Sequence, residues 1–256
     1  MLWQKSWLET RWRFAIGLAL LAIGAAAVVL VYPKVKEVMP LVVAPRDGDG
    51  ELARKIREAM ALARDYHAYV WSQWFAKQAS HCATLFAVLL GTGGLVSQAA
   101  RGGGLFTLSL PVSRERLLAT RAATGLAELA VLAVVPALVV AALSPAVDEH
   151  YALGDALVHA GCLFVAASVF FSLASLLSTV FSDVWRPLGL ALFAAIALGL
   201  SEQVFPDLSR FSVFPVMSGE DYFRGGGVPW LGLAAAAAAS LAMLYGASRN
   251  LARQDF

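Results

Sequence analysis

The sequence predicts an all-α membrane protein with six transmembrane helices. The chain of 256 residues is 59% hydrophobic and only 15% charged, whereas soluble domains are roughly 45–50% apolar and about 25% charged. A mean hydropathy of +0.67 and 14 phenylalanines exclude a disordered chain, because disordered segments are poor in aromatic residues. Two cysteines cannot build a disulfide framework, and a net charge of +2 does not favour nucleic acid as a partner.

Six apolar runs supply the predicted spans. A helix needs roughly 20 apolar residues to cross about 30 Å of hydrocarbon. Runs of about this length occupy residues 14–32, 79–97, 122–143, 156–181, 188–204 and 228–248. The first run exceeds the roughly 7–15 apolar residues of a signal peptide, so we expect it to be retained as a span. The whole chain is predicted to form one transmembrane domain.

The distribution of basic residues predicts the orientation. Lysines and arginines concentrate in the short segments on the side of the two termini, whereas Arg210 and Arg224 alone lie in the short loops on the other side. Short loops rich in basic residues stay in the cytoplasm. We therefore expect both termini on the cytoplasmic side of the inner membrane.

The N-terminal segment, residues 1–13, has an amphipathic pattern. On a helical wheel Trp3 and Trp7 fall on one face with Phe14, and most of the charged residues fall on the other. This pattern favours a helix lying in the membrane interface and leading into the first span. A charged flank with aromatic belt residues is the alternative. The residues concerned are Trp3, Lys5, Trp7, Glu9, Arg11 and Arg13.

Two outer segments are expected to be structured. Residues 33–78 begin with a proline-rich, non-helical passage, and apolar residues then recur at helical spacing from Leu52 to Val70. The spacing predicts an outer amphipathic helix that runs into the second span. The loop between the fifth and sixth spans carries apolar residues at 211–217, so it either dips into the outer leaflet or packs on the spans.

Few polar side chains interrupt the spans. Glu128 lies seven residues into the third run, roughly 9 Å from its inner edge. A carboxyl group at that depth is either functional or a protonated or paired structural contact, and the sequence leaves both open. Glu202 lies at an outer end, where we expect it to reach water. The nearest approach to a metal cluster is His81, Cys82, His159 and Cys162, which we expect to be buried, satisfied side chains that bind no metal.

Catalytic motifs are missing from the sequence. No lysine follows a glycine, so there is no Walker A motif, and neither HExxH nor GxSxG occurs. The chain is therefore not expected to be an enzyme by itself.

The inner segment 98–121 has the features of a short helix that a motor subunit could contact. Pro111 breaks the chain, Ser113 is placed to cap the N-terminus of a helix, and Glu115 falls in the first turn, where negative charge is favourable. A basic loop flanking the membrane is the alternative. The residues of the predicted coupling helix are Pro111, Ser113, Arg114, Glu115, Arg116, Leu117 and Arg121.

At four places the sequence resembles the small six-span permeases of type-two ABC (ATP-binding cassette) exporters. In that family Glu-x-x-x-Gly-Thr followed by Leu-Leu-x-x-Pro-x-Ser-Arg lies between spans two and three, and the coupling helix starts at the Pro-x-Ser-Arg. Residues 108–114 here read Leu-Ser-Leu-Pro-Val-Ser-Arg. Residues 5–14, 69–75 and 253–256 are similar to the corresponding parts of members. Gln98 replaces an acid that is usual in the family, and Gly103 stands where threonine is common.

The resemblance implies the membrane subunit of an ATP-driven exporter. It implies two separate ATPase subunits, which carry the ATP and Mg, and a second permease chain; this chain would bind no cofactor itself. Glycines such as Gly17 and Gly24, or those from Gly91 to Gly94, would meet the second chain, unless they pack within one chain. The spans have almost no polar lining, which favours a hydrophobic or amphipathic substrate. The alternative is a non-transporting scaffold of an envelope complex, or an intramembrane enzyme.

Overall fold

The structure is a computed structural model that describes residues 2–38, 60–93, 113–204 and 212–253. Within these ranges the chain forms helices and no strand, which confirms the all-α prediction. The elements are α1 (Leu2–Val38), α2 (Tyr66–Val70), a π-helix (Trp71–Ala79), α3 (Ser80–Gly91), α4 (Arg114–Leu143), a 3-10 turn (Ser144–Val147), α5 (Leu153–Leu177), α6 (Trp185–Val204), α7 (Val213–Ser218), α8 (Glu220–Phe223) and α9 (Trp230–Ala252).

Four helices of the described ranges are long and apolar enough to cross a membrane. They are α1, α4 with the turn after it, α5 and α9, and they correspond to the first, third, fourth and sixth apolar runs. The second run falls on α3 and the residues after it, and the fifth run falls on α6. The chain is thus an all-helical protein with the composition of a multi-pass membrane protein.

Helices α1 and α4 are both longer than the predicted spans. Residues 2–13 and the first apolar run form one helix of 37 residues, roughly 55 Å at 1.5 Å per residue. Likewise the expected coupling helix is not a separate element, because Arg114–Leu143 is a single helix of 30 residues. No glycine or proline lies where the polar and apolar parts meet. A change of polarity alone therefore does not end either helix.

The second run ends earlier than predicted. Helix α3 stops at Gly91, and Thr92 is extended, whereas the apolar run continues to residue 97. Gly93 follows with φ +94°, a left-handed conformation that glycine adopts without strain. Residues 94–97 lie outside the described ranges.

Helix α5 is the centre of the packing. It contacts α3, α4, α6, α7 and α9, whereas α1 packs mainly along α4. Phe170 and Phe171 of α5 are fully buried. Burial of such aromatic side chains and the close approach of the small residues around them hold the bundle together.

The glycines considered for a contact between two chains pack within this one. A Cβ on Gly17 would lie 2.8 Å from Phe86, and one on Gly24 would lie 3.0 Å from Trp74. A Cβ on Gly91 would strike the backbone carbonyl of Phe171. The intrachain alternative is therefore confirmed for these three positions, and Gly94 lies outside the described residues.

The outer segments pack on the bundle. Helix α7 lies against α5 and its Met217 is fully buried, so the loop before the sixth run packs on the spans. Asp65 caps α2 by accepting a hydrogen bond from the backbone N–H of Ala68 at 2.8 Å. Residues 60–64 before this cap are helical, whereas the start of the predicted outer helix, from Leu52, lies outside the described residues.

Candidate functional site

The N-terminus of α4 has the predicted capping geometry. The Ser113 hydroxyl accepts a hydrogen bond from the backbone N–H of Arg116 at 3.3 Å, and Glu115 is in the first turn. Arg116 is exposed and Leu117 is buried. Pro111 and the Arg114 side chain lie outside the described part of the chain.

Arg121 ties this end of α4 to α1. Its Nη1 donates to Oε2 of Glu9 at 3.1 Å, and the two side chains are 15% and 28% exposed. A residue of the predicted coupling helix and a residue of the predicted interfacial helix thus form one partly buried ion pair. The first turns of α4 are therefore fixed to α1 and do not form a free lever.

Two arginines cap the C-terminal end of α3. Arg13 donates from Nη1 to the Leu89 carbonyl at 2.7 Å and to the Thr92 carbonyl at 3.3 Å. Arg121 donates from Nη2 to the same Thr92 carbonyl at 3.4 Å. The last carbonyls of a helix have no intrahelical partner and carry partial negative charge. The two guanidinium groups satisfy these carbonyls and so join α3 to α1 and α4.

Glu128 makes the deepest contact between α1 and α4. It is 3% exposed, and its Oε1 accepts a hydrogen bond from the Thr10 hydroxyl at 2.5 Å. Its Oε2 is buried without a hydrogen-bond partner among the described residues. Of the two interpretations of Glu128, this geometry favours the paired structural contact.

These contacts form one polar cluster between three helices. We define the polar cluster as Glu9, Thr10, Arg13, Thr92, Arg121 and Glu128. Its bonds require α1, α3 and α4 to keep their relative positions, because hydrogen bonds weaken steeply beyond normal distances and angles. A movement of the α4 N-terminus against α1 must stretch the pair Glu9–Arg121 or the bond Thr10–Glu128.

The tryptophans of the N-terminal segment lie outside the polar cluster. Trp3 and Trp7 are exposed on α1, and the guanidinium of Arg11 lies 5.6 Å from the ring centroid of Trp12. Lys5 is half-buried. The structure thus divides the predicted interfacial residues: Glu9 and Arg13 join helices, whereas Trp3, Trp7 and Arg11 face outward.

Glu202 was expected to reach water, and this expectation is wrong for one of its oxygens. Oε1 is buried and has no hydrogen-bond partner among the described residues. The carboxylate also lines a pocket of about 430 Å³ between α3 and α6. The run 188–204 does not by itself indicate this burial, because Phe214 of α7, which lies outside that run, forms part of the same pocket wall.

The histidines and cysteines do not gather into a metal site. In the described ranges no group of three His, Cys, Asp or Glu side chains could hold a metal ion. Buried His159 lies with its Nδ1 3.0 Å from the carbonyl of Ser218, and both cysteines are free. His81 differs from the expectation of burial, because it is exposed.

The comparisons with known proteins give no relative. No family model, no curated protein and no solved structure matches this chain.

Proposed function

We propose that this chain is the membrane subunit of an ATP-binding cassette exporter in the cytoplasmic membrane. The observation that carries the proposal is the polar cluster, which connects the capped, exposed N-terminus of α4 to α1 and α3. A subunit moved by a separate motor needs a contact surface of this kind joined firmly to its spans. The resemblance of residues 108–114 to the segment in which the family's coupling helix starts supports the same interpretation.

In the proposed topology six helices cross the membrane. The four apolar helices are joined by α3 with its preceding π-helix and by α6, and both termini lie in the cytoplasm. Many large apolar side chains on α1, α6 and α9 are exposed on the surface of the chain. In the proposed topology these side chains would contact lipid.

The proposed mechanism uses the continuity of α4. Two ATPase subunits, carrying ATP and Mg, would contact Glu115 and Arg116 at the exposed first turn, and a second permease chain would complete the transporter. Because the first turn and the span are one helix, displacement of its end moves the whole element. Nucleotide binding would bias inward and outward states through its different affinity for each, and the pair Glu9–Arg121 would pass the movement to α1.

A hydrophobic or amphipathic substrate remains the proposed cargo. The alternative of an intramembrane enzyme finds less support, because the hydrogen-bond partner of Glu128 in the described structure is the Thr10 hydroxyl and not a second acid or base. The presence or absence of an ATPase in the native complex distinguishes an exporter from a non-transporting scaffold.

Charge reversal at the α4 N-terminus tests the proposal. In a purified complex with its ATPase, Arg116→Glu should lower permease-stimulated ATP hydrolysis at least about tenfold, the effect of about 1.4 kcal/mol at a contact, with the melting temperature unchanged. Arg186→Glu is the matched control, because Arg186 is also exposed at the start of a helix predicted on the cytoplasmic side. Equal stimulation by all three proteins would count against the assignment.

A further inference from the structure

A pocket between α3 and α6 has the size and lining of a small-molecule site. Its volume is about 430 Å³, within the range of roughly 300–1,000 Å³ that such sites occupy. Most of its wall is apolar, and three polar side chains, those of His81, Thr84 and Glu202, also line it. The apolar wall comprises Leu85, Leu192, Ala195, Ile196, Leu200 and Phe214.

The Glu202 carboxylate gives the pocket a buried hydrogen-bond acceptor, and the other two polar side chains each bond a carbonyl of their own helical segment. Oε1 of Glu202 is buried without a partner among the described residues. The Thr84 hydroxyl already donates to the Ser80 carbonyl at 2.9 Å. The His81 Nδ1 lies 2.5 Å from the Lys77 carbonyl, and since a carbonyl only accepts, Nδ1 carries the hydrogen of this bond.

The Glu202 oxygen without a partner among the described residues indicates which chemical group a ligand of this pocket should carry. A buried carboxylate oxygen without a donor is costly, and an ammonium group supplies three N–H donors and a compensating charge. A carboxylate or phosphate would meet a like charge instead. A purely apolar molecule would pack against the apolar wall and leave Oε1 of Glu202 unpaired.

We propose that the pocket binds an amphipathic amine, whose ammonium group pairs with Glu202 and whose apolar body lies against α6 and Phe214. The binding needs no ATPase and no second chain. The inference therefore goes beyond the proposed export function and succeeds or fails independently of it.

Photolabelling tests the proposal with the full chain in phosphatidylcholine nanodiscs. The probes are a dodecylamine that carries a diazirine and the alcohol of the same length and diazirine position. The amine should label residues of the pocket at concentrations at least about tenfold lower than the alcohol, because its ammonium group adds a charge-assisted hydrogen bond to Glu202 that the hydroxyl of the alcohol does not make. Unlabelled dodecylamine should compete.

Three variants distinguish recognition of the ammonium charge by Glu202 from simple occupation of the pocket volume. Glu202→Gln should remove the tenfold preference for the amine and leave labelling by the alcohol unchanged. Glu149→Gln is the control, because Glu149 pairs with Lys36 and lies outside the pocket wall. Gly199→Leu should reduce labelling by both probes, because Gly199 lines the pocket and its Cβ would lie at an ordinary 3.6 Å from Phe214.

Several results would overturn the proposal. They are equal labelling by amine and alcohol in the native chain, a preference that survives Glu202→Gln, and labelling that avoids the pocket altogether. Thermal unfolding of each variant confirms that a loss of labelling reflects the pocket and not the fold.

Discussion

The bond between Thr10 and Glu128 should hold α1 against α4, and an isosteric substitution isolates its contribution. Thr10→Val keeps the shape of the side chain and removes the hydroxyl that donates to Oε1 at 2.5 Å. Because Oε2 has no partner among the described residues, the substitution leaves the whole buried carboxyl group without a side-chain donor there. Glu128 itself remains in place.

The expected loss follows from the burial of Glu128. Leaving a buried acceptor without its donor costs about 1–3 kcal/mol. A loss of this size corresponds to a fall in melting temperature of roughly 2–12 °C for a chain of this length. Substitution of the other partner, Glu128→Leu, should lower the stability less, because the Thr10 hydroxyl can then donate to the Ser6 carbonyl, 3.2 Å away in the same helix.

A double-mutant cycle measured by thermal unfolding in detergent is the assay. The double variant Thr10→Val/Glu128→Leu should recover most of the stability lost in Thr10→Val, since replacing both partners by apolar groups is nearly neutral. Thr124→Val is the control: Thr124 is buried on α4 and its hydroxyl donates to the Thr120 carbonyl of its own helix at 2.9 Å. The reasoning is refuted if Thr10→Val and Thr124→Val unfold at the same temperature and the cycle gives no coupling.

Two further predictions concern packing and pH. Gly91→Ala should lower the melting temperature by several degrees, because the new methyl group meets the backbone of Phe171 and overpacking costs about 1–3 kcal/mol; Gly161→Ala, with open space around it, should be neutral or slightly stabilising, and equal effects would contradict the packing. The hydrogen bond from Tyr222 to Asp155, 2.6 Å long, raises the pKa of Tyr222 above its ordinary value of 10.0. The fold therefore favours the neutral phenol, and this stabilisation is complete below pH 10 and is lost as the pH rises above it. Denaturant unfolding from pH 9 to 11 should show a steeper loss in the native chain than in Tyr222→Phe, and parallel curves would contradict the assignment.

The sequence was most informative where local chemistry decides the structure. Apolar runs predicted the helices α1, α4, α5 and α9, because burial of apolar residues over about 20 positions leaves few alternatives. Ser113 was predicted as a helix cap, and its hydroxyl accepts the expected backbone hydrogen bond. Both signals lie within a few residues of the structure that they predict.

Helix lengths were harder to predict because polarity and backbone geometry are independent. The charged residues before Phe14 and before Ala122 suggested boundaries, yet α1 and α4 run through both positions. Proline does not decide the boundaries either, because α4 contains Pro136 and α1 continues through Pro33 to Val38. The expectation of a non-helical passage from residue 33 is therefore wrong for residues 33–38. No glycine, proline or side-chain cap marks the π-helix Trp71–Ala79, and the apolar pattern does not predict it.

The contacts of the candidate site depend on pairs far apart in sequence. Thr10 and Glu128 are separated by 118 positions, and Glu9 and Arg121 by 112. Each residue was noticeable alone, as a charge or a polar group beside a span, but its partner is chosen by the packing of α1 on α4. The pocket that Glu202 lines also includes Phe214 of α7, which lies outside the fifth apolar run.

The most direct test of the proposed function is the composition of the native complex. The tagged chain should be extracted from its own membranes in mild detergent, and the stoichiometry of the purified material measured by mass spectrometry. An exporter subunit predicts two copies of this chain with two copies of an ATPase that carries a Walker A motif. Isolation of the chain without any nucleotide-hydrolysing partner, or substrate movement by the chain alone in liposomes, would contradict the proposal.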